Sequence, residues 1–148
     1  MKTPKPPKLT VGWREWASLP DFTSIKVKAK VDTGARTSSI HAWNVRRYTN
    51  AGAPWVSFEL HPLQRDNSVR IECLSPIHDI RNVRSSDGAA QERFVILTRL
   101  ELSGRAWPIE LTLARRDQMG FRMLIGRTAL RRHALVDPAK SYLCGRPD

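Results

Sequence analysis

Between Ile25 and Val31 the chain alternates strictly, Ile25-Lys26-Val27-Lys28-Ala29-Lys30-Val31, and then breaks at Asp32-Thr33-Gly34-Ala35. A two-residue period is the mark of a half-buried strand, with the apolar residues turned to a core and the three lysines to water. At Thr33-Gly34 the pattern stops, where glycine lets the backbone turn sharply or approach another group closely. The strand therefore carries a single carboxylate, that of Asp32, to its end and leaves it exposed. The plainer reading is a turn aspartate that caps the next segment, because Asp favours turns anyway. On the tripeptide alone both readings stand.

The rest of the chain reads as more strands. Val11 to Trp16 is compatible with a first strand or with irregular structure buried by Trp13 and Trp16, and Leu19-Pro20-Asp21 turns the chain. Thr37 to Trp43 suits the return strand of a hairpin whose tip is the Asp32 loop. Trp55 to Leu60 places Val56, Phe58 and Leu60 on one face, and Val69, Ile71 and Cys73 form another alternating run. Ser85-Ser86-Asp87-Gly88, small and polar, reads as an exposed hairpin tip. Phe94 to Leu102 and Trp107 to Leu113 pair around Ser103-Gly104-Arg105. Met123-Leu124-Ile125 has no wet face and reads as a buried strand. Thr128 can cap a short helix through Ala129, Leu130 and Arg132, and Ser141 to Cys144 can add an edge strand.

A length of 148 residues suits one domain with a core of its own, here residues 11–148. Residues 1–10, with three prolines, three lysines and Leu9 as the one sizeable aliphatic group, read as a flexible basic arm. No apolar run is long enough to span a membrane and the start lacks the apolar stretch of a signal peptide, so a cytoplasmic protein is expected. Cys73 and Cys144 are then free thiols by default. His41, His61, His78 and His133 show no metal-ligand spacing, so no metal and no cofactor is expected. The net charge of +11 will attract polyanions or an acidic partner, although no arginine run exceeds two residues.

The strand leading into Asp32-Thr33-Gly34-Ala35, taken with Met123-Leu124-Ile125-Gly126-Arg127 far downstream, resembles the retropepsin-like aspartic peptidases. Gly12-Trp13-Arg14-Glu15-Trp16, Leu19-Pro20, Ala29 to Ser38, Leu124 to Arg127 and Leu135-Val136-Asp137 are similar to a bacterial group labelled ATP-dependent zinc proteases, over roughly residues 11 to 143. The resemblance implies an all-β fold, a closed barrel with one short C-terminal helix. It implies Asp32 as the catalytic acid, Thr33, Gly34 and Ala35 as its loop, and Leu124, Ile125, Gly126 and Arg127 as the segment supporting it from below. Ser85, Ser86, Asp87 and Gly88 fall where the substrate-covering flap belongs. Retroviral members often pair an acidic residue after the alanine with the arginine after the apolar-apolar-Gly segment. Here Arg36 faces Arg127, and each needs another partner, with Asp117, Glu110 or Asp137 as candidates.

Direct attack of water on a peptide needs a base and an acid at once. Two carboxyls sharing a proton supply both, because like-charge repulsion drives their pKa values apart. This chain has one Asp-Thr-Gly, so the second carboxyl comes from a second copy across a twofold axis, as in the dimeric retropepsins. The expected partner set is a peptide or protein substrate, an acidic one included, and a second copy of the chain. The resemblance adds an association with ATP-grasp ligases; ATP itself would belong to such a partner, since no Gly-x-x-x-x-Gly-Lys loop occurs here. The competing reading, from another class, is a catalytically silent basic module that keeps the barrel to hold an acidic protein or nucleic acid. Nucleic acid is the less expected of the two.

Overall fold

The computed structural model of the chain describes residues 6–63, 66–84, 88, 90–114 and 120–147. Its strands are β1 (Leu9–Val11), β2 (Arg14–Leu19), β3 (Thr23–Asp32), β4 (Ser38–His41), β5 (Trp43–Asn50), β6 (Ala53–Leu60), β7 (Ile71–Pro76), β8 (Asp79–Arg84), β9 (Ala90–Leu102), β10 (Arg105–Ala114), β11 (Met123–Gly126) and β12 (Ala134–Val136), with one short helix, α1 (Arg127–Leu130). The fold is all-β. In the main sheet the order β10-β4-β11-β3-β2-β9 closes on itself through the β9–β10 pairing, and β8 hangs from β9 as a hairpin arm. Closure removes the free edges that an open sheet of this size would expose.

Alternation along each strand fills the barrel. Val27, Ala29 and Val31 of β3 meet Leu111 and Ile109 of β10, Ile96 and Leu100 of β9, and Met123 and Ile125 of β11 in one buried cluster. The β9–β10 turn needs left-handed backbone at both Ser103 and Gly104, as a tight two-residue hairpin requires. β5, β6 and β7 form a separate antiparallel sheet that contributes Val56, Phe58, Leu60 and Cys73 to the same core.

Three local expectations are corrected. β4 is not the hairpin partner of β3: β11 lies between them, parallel to β3 and antiparallel to β4. A strand apolar on every side chain cannot sit at an edge, and this slot is the one place where both flanks of Met123-Leu124-Ile125 are paired and buried. Thr128 does not cap α1. The N-cap is Gly126 with no side-chain bond, and the Thr128 hydroxyl donates instead to the Arg36 carbonyl. Finally, Ser141 to Cys144 is not a strand. Tyr142 and Gly145 adopt left-handed backbone that breaks any ladder, and the segment runs beside the start of β2, which β9 leaves unpaired, with Tyr142 N–H donating to the Arg14 carbonyl.

Among the described residues regular structure begins at Leu9, where β1 pairs in parallel with β12. Glu15, fully buried on β2, ties the other terminus. Its carboxylate accepts from Gly12 N–H (2.6 Å), Leu143 N–H (3.0 Å) and Cys144 N–H (2.9 Å). Gly12 must be glycine, since a Cβ there would stand 2.2 Å from the Lys140 carbonyl oxygen.

Candidate active site

Asp32 closes β3 in register with Gly126 of β11, so both residues reach the same end of the barrel side by side. Val31 is buried, Asp32 half-buried, and Thr33 and Gly34 are exposed, which follows from the alternation running out as the strand leaves the sheet. Gly34 N–H donates to Asp32 Oδ1 at 3.0 Å, and Ala35 N–H donates to the Asp32 carbonyl at 3.2 Å. A Cβ on Gly34 would stand 3.2 Å from that carboxylate oxygen, so the missing side chain is what lets the backbone close over it.

The loop is gripped from below by backbone groups of the second motif. Arg127 N–H donates to the Ala35 carbonyl (2.8 Å) and Thr128 N–H to the Arg36 carbonyl (3.1 Å). The Arg127 guanidinium donates to the Gly34 carbonyl at 3.1 Å. Gly126 N–H donates to the hydroxyl of Ser38, a fully buried residue at the head of β4. A Cβ on Gly126 would lie 2.7 Å from the Thr37 carbonyl carbon, so only glycine lets β11 pass this close under the loop. Asp32, Thr33, Gly34, Ala35, Gly126 and Arg127 are thus brought together, with Leu124 and Ile125 buried behind them. Ser38 and Thr128 are contributors that sequence reasoning missed. The one available signal was the hydroxyl run Thr37-Ser38-Ser39 leading into an apolar strand.

Of the residues expected at the flap, Ser85, Ser86 and Asp87 lie outside the described residues, and Gly88 is exposed with left-handed backbone. The base of that hairpin is tied toward the loop. Arg81 of β8 donates to Glu110 of β10 (2.5 Å) and to Asp79 (2.9 Å), and lies 3.5 Å from the Thr37 hydroxyl. The bond to Glu110, more than that to Asp79, holds the guanidinium more firmly protonated than usual. The Arg81 bond in turn holds Asp79 below the usual carboxylate range. Among the proposed arginine partners Glu110 is therefore taken by Arg81, and Asp137 accepts from Ala139 N–H; Asp117 lies outside the described residues. Arg127 finds its partner in the Gly34 carbonyl.

Among the described residues no group of three or more His, Cys, Asp or Glu side chains could hold a metal ion. No helix there is long and apolar enough to cross a membrane. Cys73 and Cys144 are unpaired thiols.

A closed barrel with a glycine-braced Asp-Thr-Gly-Ala loop over an apolar-apolar-Gly strand is a retropepsin-like domain. Residues 10–147 match the family described as RimB-like, retropepsin-like aspartic endopeptidase RimB, and the chain belongs to that family. It is 48% identical over 138 residues to a Shewanella pealeana protein named probable alpha-L-glutamate ligase, and 49% identical over 138 residues to a protein of the same name from Parasynechococcus marenigrum. Each match takes in 93% of this chain but 30% of the relative, so the chain spans under a third of the length of those proteins. Among solved structures, the Legionella pneumophila protein Lpg0085, of unknown function, superposes with a TM-score of 0.76, covering 92% of this chain and 98% of that one at 24% identity; the likeness is one of fold.

Proposed function

We propose that the chain is an aspartic peptidase whose catalytic unit is a pair of Asp32 carboxyls, one from each of two copies, and whose substrate is an acidic, glutamate-rich protein tail. The observation that carries this reading is the placement of Asp32: a half-buried carboxylate at the end of β3, held by Gly34 N–H, with no hydrogen bond to a second carboxyl among the described residues. One carboxyl cannot be both base and acid, so the chemistry needs a partner group. The exposure of Thr33 and Gly34 leaves the loop open to a symmetry mate. In the paired site, one Asp32 carboxylate takes a proton from the attacking water. The other, protonated, donates to the carbonyl oxygen of the scissile bond, and the proton is later passed to the leaving amine. Relatives named alpha-L-glutamate ligases contain a stretch similar to this chain, which motivates a substrate of α-linked glutamates and an association with an ATP-grasp ligase.

The test is hydrolysis of an α-linked oligoglutamate peptide and of the same peptide appended to a carrier protein. The wild type is expected to release glutamate-containing fragments, and Asp32→Asn, still folded, none. A mixed population of wild type with excess Asp32→Ala after subunit exchange should lose activity per wild-type chain roughly as the wild-type fraction falls. Undiminished activity after demonstrated exchange would overturn the shared site. A basic binding module without catalysis would instead show salt-sensitive peptide binding, unchanged in Asp32→Asn, and no cleavage by either protein.

A further inference from the structure

Ion pairing in this molecule is lopsided. Among the described residues, the salt bridges join Asp21 to Arg99, Glu59 to His61 and Arg70, and Arg81 to Asp79 and Glu110. None involves Arg14, Lys28 or Lys30, although Lys28 and Lys30 lie on the same face of β3 as Asp32, the face opposite buried Val27, Ala29 and Val31. Arg14 of β2 stands directly across from Lys30. Like charges opposite each other on neighbouring strands repel. Among the described residues no ion pair relieves them.

Arg14 is also held in place. Its guanidinium lies over the Trp13 ring at 4.5 Å and over Tyr142 at 4.8 Å, and its Nε donates to the Ser141 hydroxyl at 3.2 Å. Among the described residues its two terminal nitrogens make no hydrogen bond, so the planar fork that suits a carboxylate is fixed and unused. Lys30 is exposed, and Lys28, half-buried, lies with its ammonium over Phe121 at 5.4 Å. Same-face positions along a strand repeat every ~6.6 Å, and so do same-side side chains of an extended peptide. The row Asp32, Lys30, Lys28 therefore matches the spacing of alternate residues in an extended acidic substrate.

We infer that Arg14 and Lys30, with Lys28 beyond them, form the specificity subsite that receives a substrate carboxylate side chain about one same-face step from the bond to be cut. The inference rests on the peptidase reading for its placement but not for its chemistry. A single-stranded nucleic acid fits less well. The ring faces its bases would stack on are taken, since Trp13 and Tyr142 clasp Arg14 and Trp16 stacks on Tyr142 at 6.1 Å.

The experiment has two arms. In the first, full-length Asp32→Asn is titrated with labelled hexa-α-glutamate, with a hexaglutamine counterpart and with oligouridylate. Hexaglutamate is expected to bind most tightly. Lys30→Gln should weaken it ~10-fold and Arg14→Gln/Lys30→Gln further, as losses of charge-assisted contacts do. Arg46→Gln/Arg47→Gln, on exposed β5 of the separate sheet, should leave binding unchanged. An equal loss from that pair would reduce the row to general positive charge, and tighter oligouridylate binding lost in Lys30→Gln would make it a nucleic-acid surface; either overturns the inference. Lys30 is exposed, so Lys30→Gln keeps the test decisive even if the Arg14 variant fails to fold. In the second arm, kcat/KM is compared for peptides with Glu or Gln near the cut. The Glu preference of the wild type should collapse in Lys30→Gln. Cleavage with no Glu preference sinks the subsite and leaves the peptidase standing. Row-dependent binding without cleavage by the wild type does the reverse.

Discussion

Gly126→Ala is the sharpest single probe of how the loop is held. The backbone at Gly126 has φ −86°, a region alanine adopts freely. Without a steric conflict, the substitution would stabilise the protein by about 0.4–1 kcal/mol through the unfolded chain. The structure predicts the opposite sign. The added Cβ would meet the Thr37 carbonyl carbon at 2.7 Å, its oxygen at 2.8 Å and the Ala35 oxygen at 3.0 Å, all backbone atoms that cannot swing aside. Restoring ordinary contact, at ~3.5 Å, separates β11 from the loop. That loosens the bonds from Arg127 N–H to Ala35 and from Gly126 N–H to Ser38. Overpacking at ~1–3 kcal/mol plus two weakened hydrogen bonds at ~1 kcal/mol each gives a net loss of about 2–4.5 kcal/mol after the entropic gain. For a domain of this size that lowers Tm by ~10 °C. Paired urea and thermal unfolding curves of wild type and variant measure it. A midpoint unchanged or raised would refute the claim that glycine is required here for close approach.

Glu15→Gln keeps the size of the side chain but turns one of its acceptor oxygens into a donor facing backbone N–H groups, so a loss of ~2–3 kcal/mol is expected, together with faster amide exchange at Leu143 and Cys144. Burial pushes the Cys73 thiol up to about 12, so at pH 8 a thiol reagent should modify Cys73 only at the rate of unfolding. On pH, burial opposes ionisation of Asp21, but bonds from Arg99 N–H, the Thr98 hydroxyl and the Arg99 side chain outweigh it and hold the carboxyl below its ordinary 3.8. A lowered folded-state carboxyl stabilises above its unfolded pKa, and that contribution is lost as pH falls through the folded value; Asp21→Asn should flatten the steep acid limb of the stability curve below ~pH 4. His133 is lowered from 6.5 by burial and by Arg132, so the unfolded chain takes up its proton first and stability falls as pH drops below that value; His133→Phe, which keeps the stack on Trp107, should remove that decline.

The strands were legible because most of them carry clean alternation, while their closure into a barrel came only from the family resemblance. β3, β6 and β10 each bury the alternate residues their sequence marks, and β11 buries all of its apolar run. The residues of the Asp32 loop and of Gly126-Arg127 were legible as motifs. What failed was neighbourhood. Nothing local in Thr37 to His41 says that a strand from far down the chain will lie between it and β3; that follows only from the closing of the barrel. β5 was missed because residues 44–47 are exposed in succession, leaving no period to read. The C-terminal segment was misread for a related reason. Its apolar and aromatic side chains suggest a strand, whereas its backbone is shaped by two left-handed residues and by the buried carboxylate of Glu15, which is distant in sequence.

The polar groups of the molecule divide by what satisfies them, and the division bears on how the site works. Around the Asp32 loop the fixing bonds are contributed largely by backbone: Arg127 and Thr128 N–H below, Gly34 N–H above, with Ser38, Thr128 and Arg127 side chains completing the grip. Backbone donors at the start of α1 and in the loop itself bring little side-chain freedom to be frozen, so they hold the loop under Asp32 at low entropic cost. At the base of the β8–β9 hairpin the opposite holds, because Arg81, Asp79 and Glu110 are long, partly exposed side chains whose pairing weakens with salt. One part of the site is thus rigid by construction and the other adjustable. Raising ionic strength should therefore loosen the hairpin base well before it disturbs the geometry at Asp32.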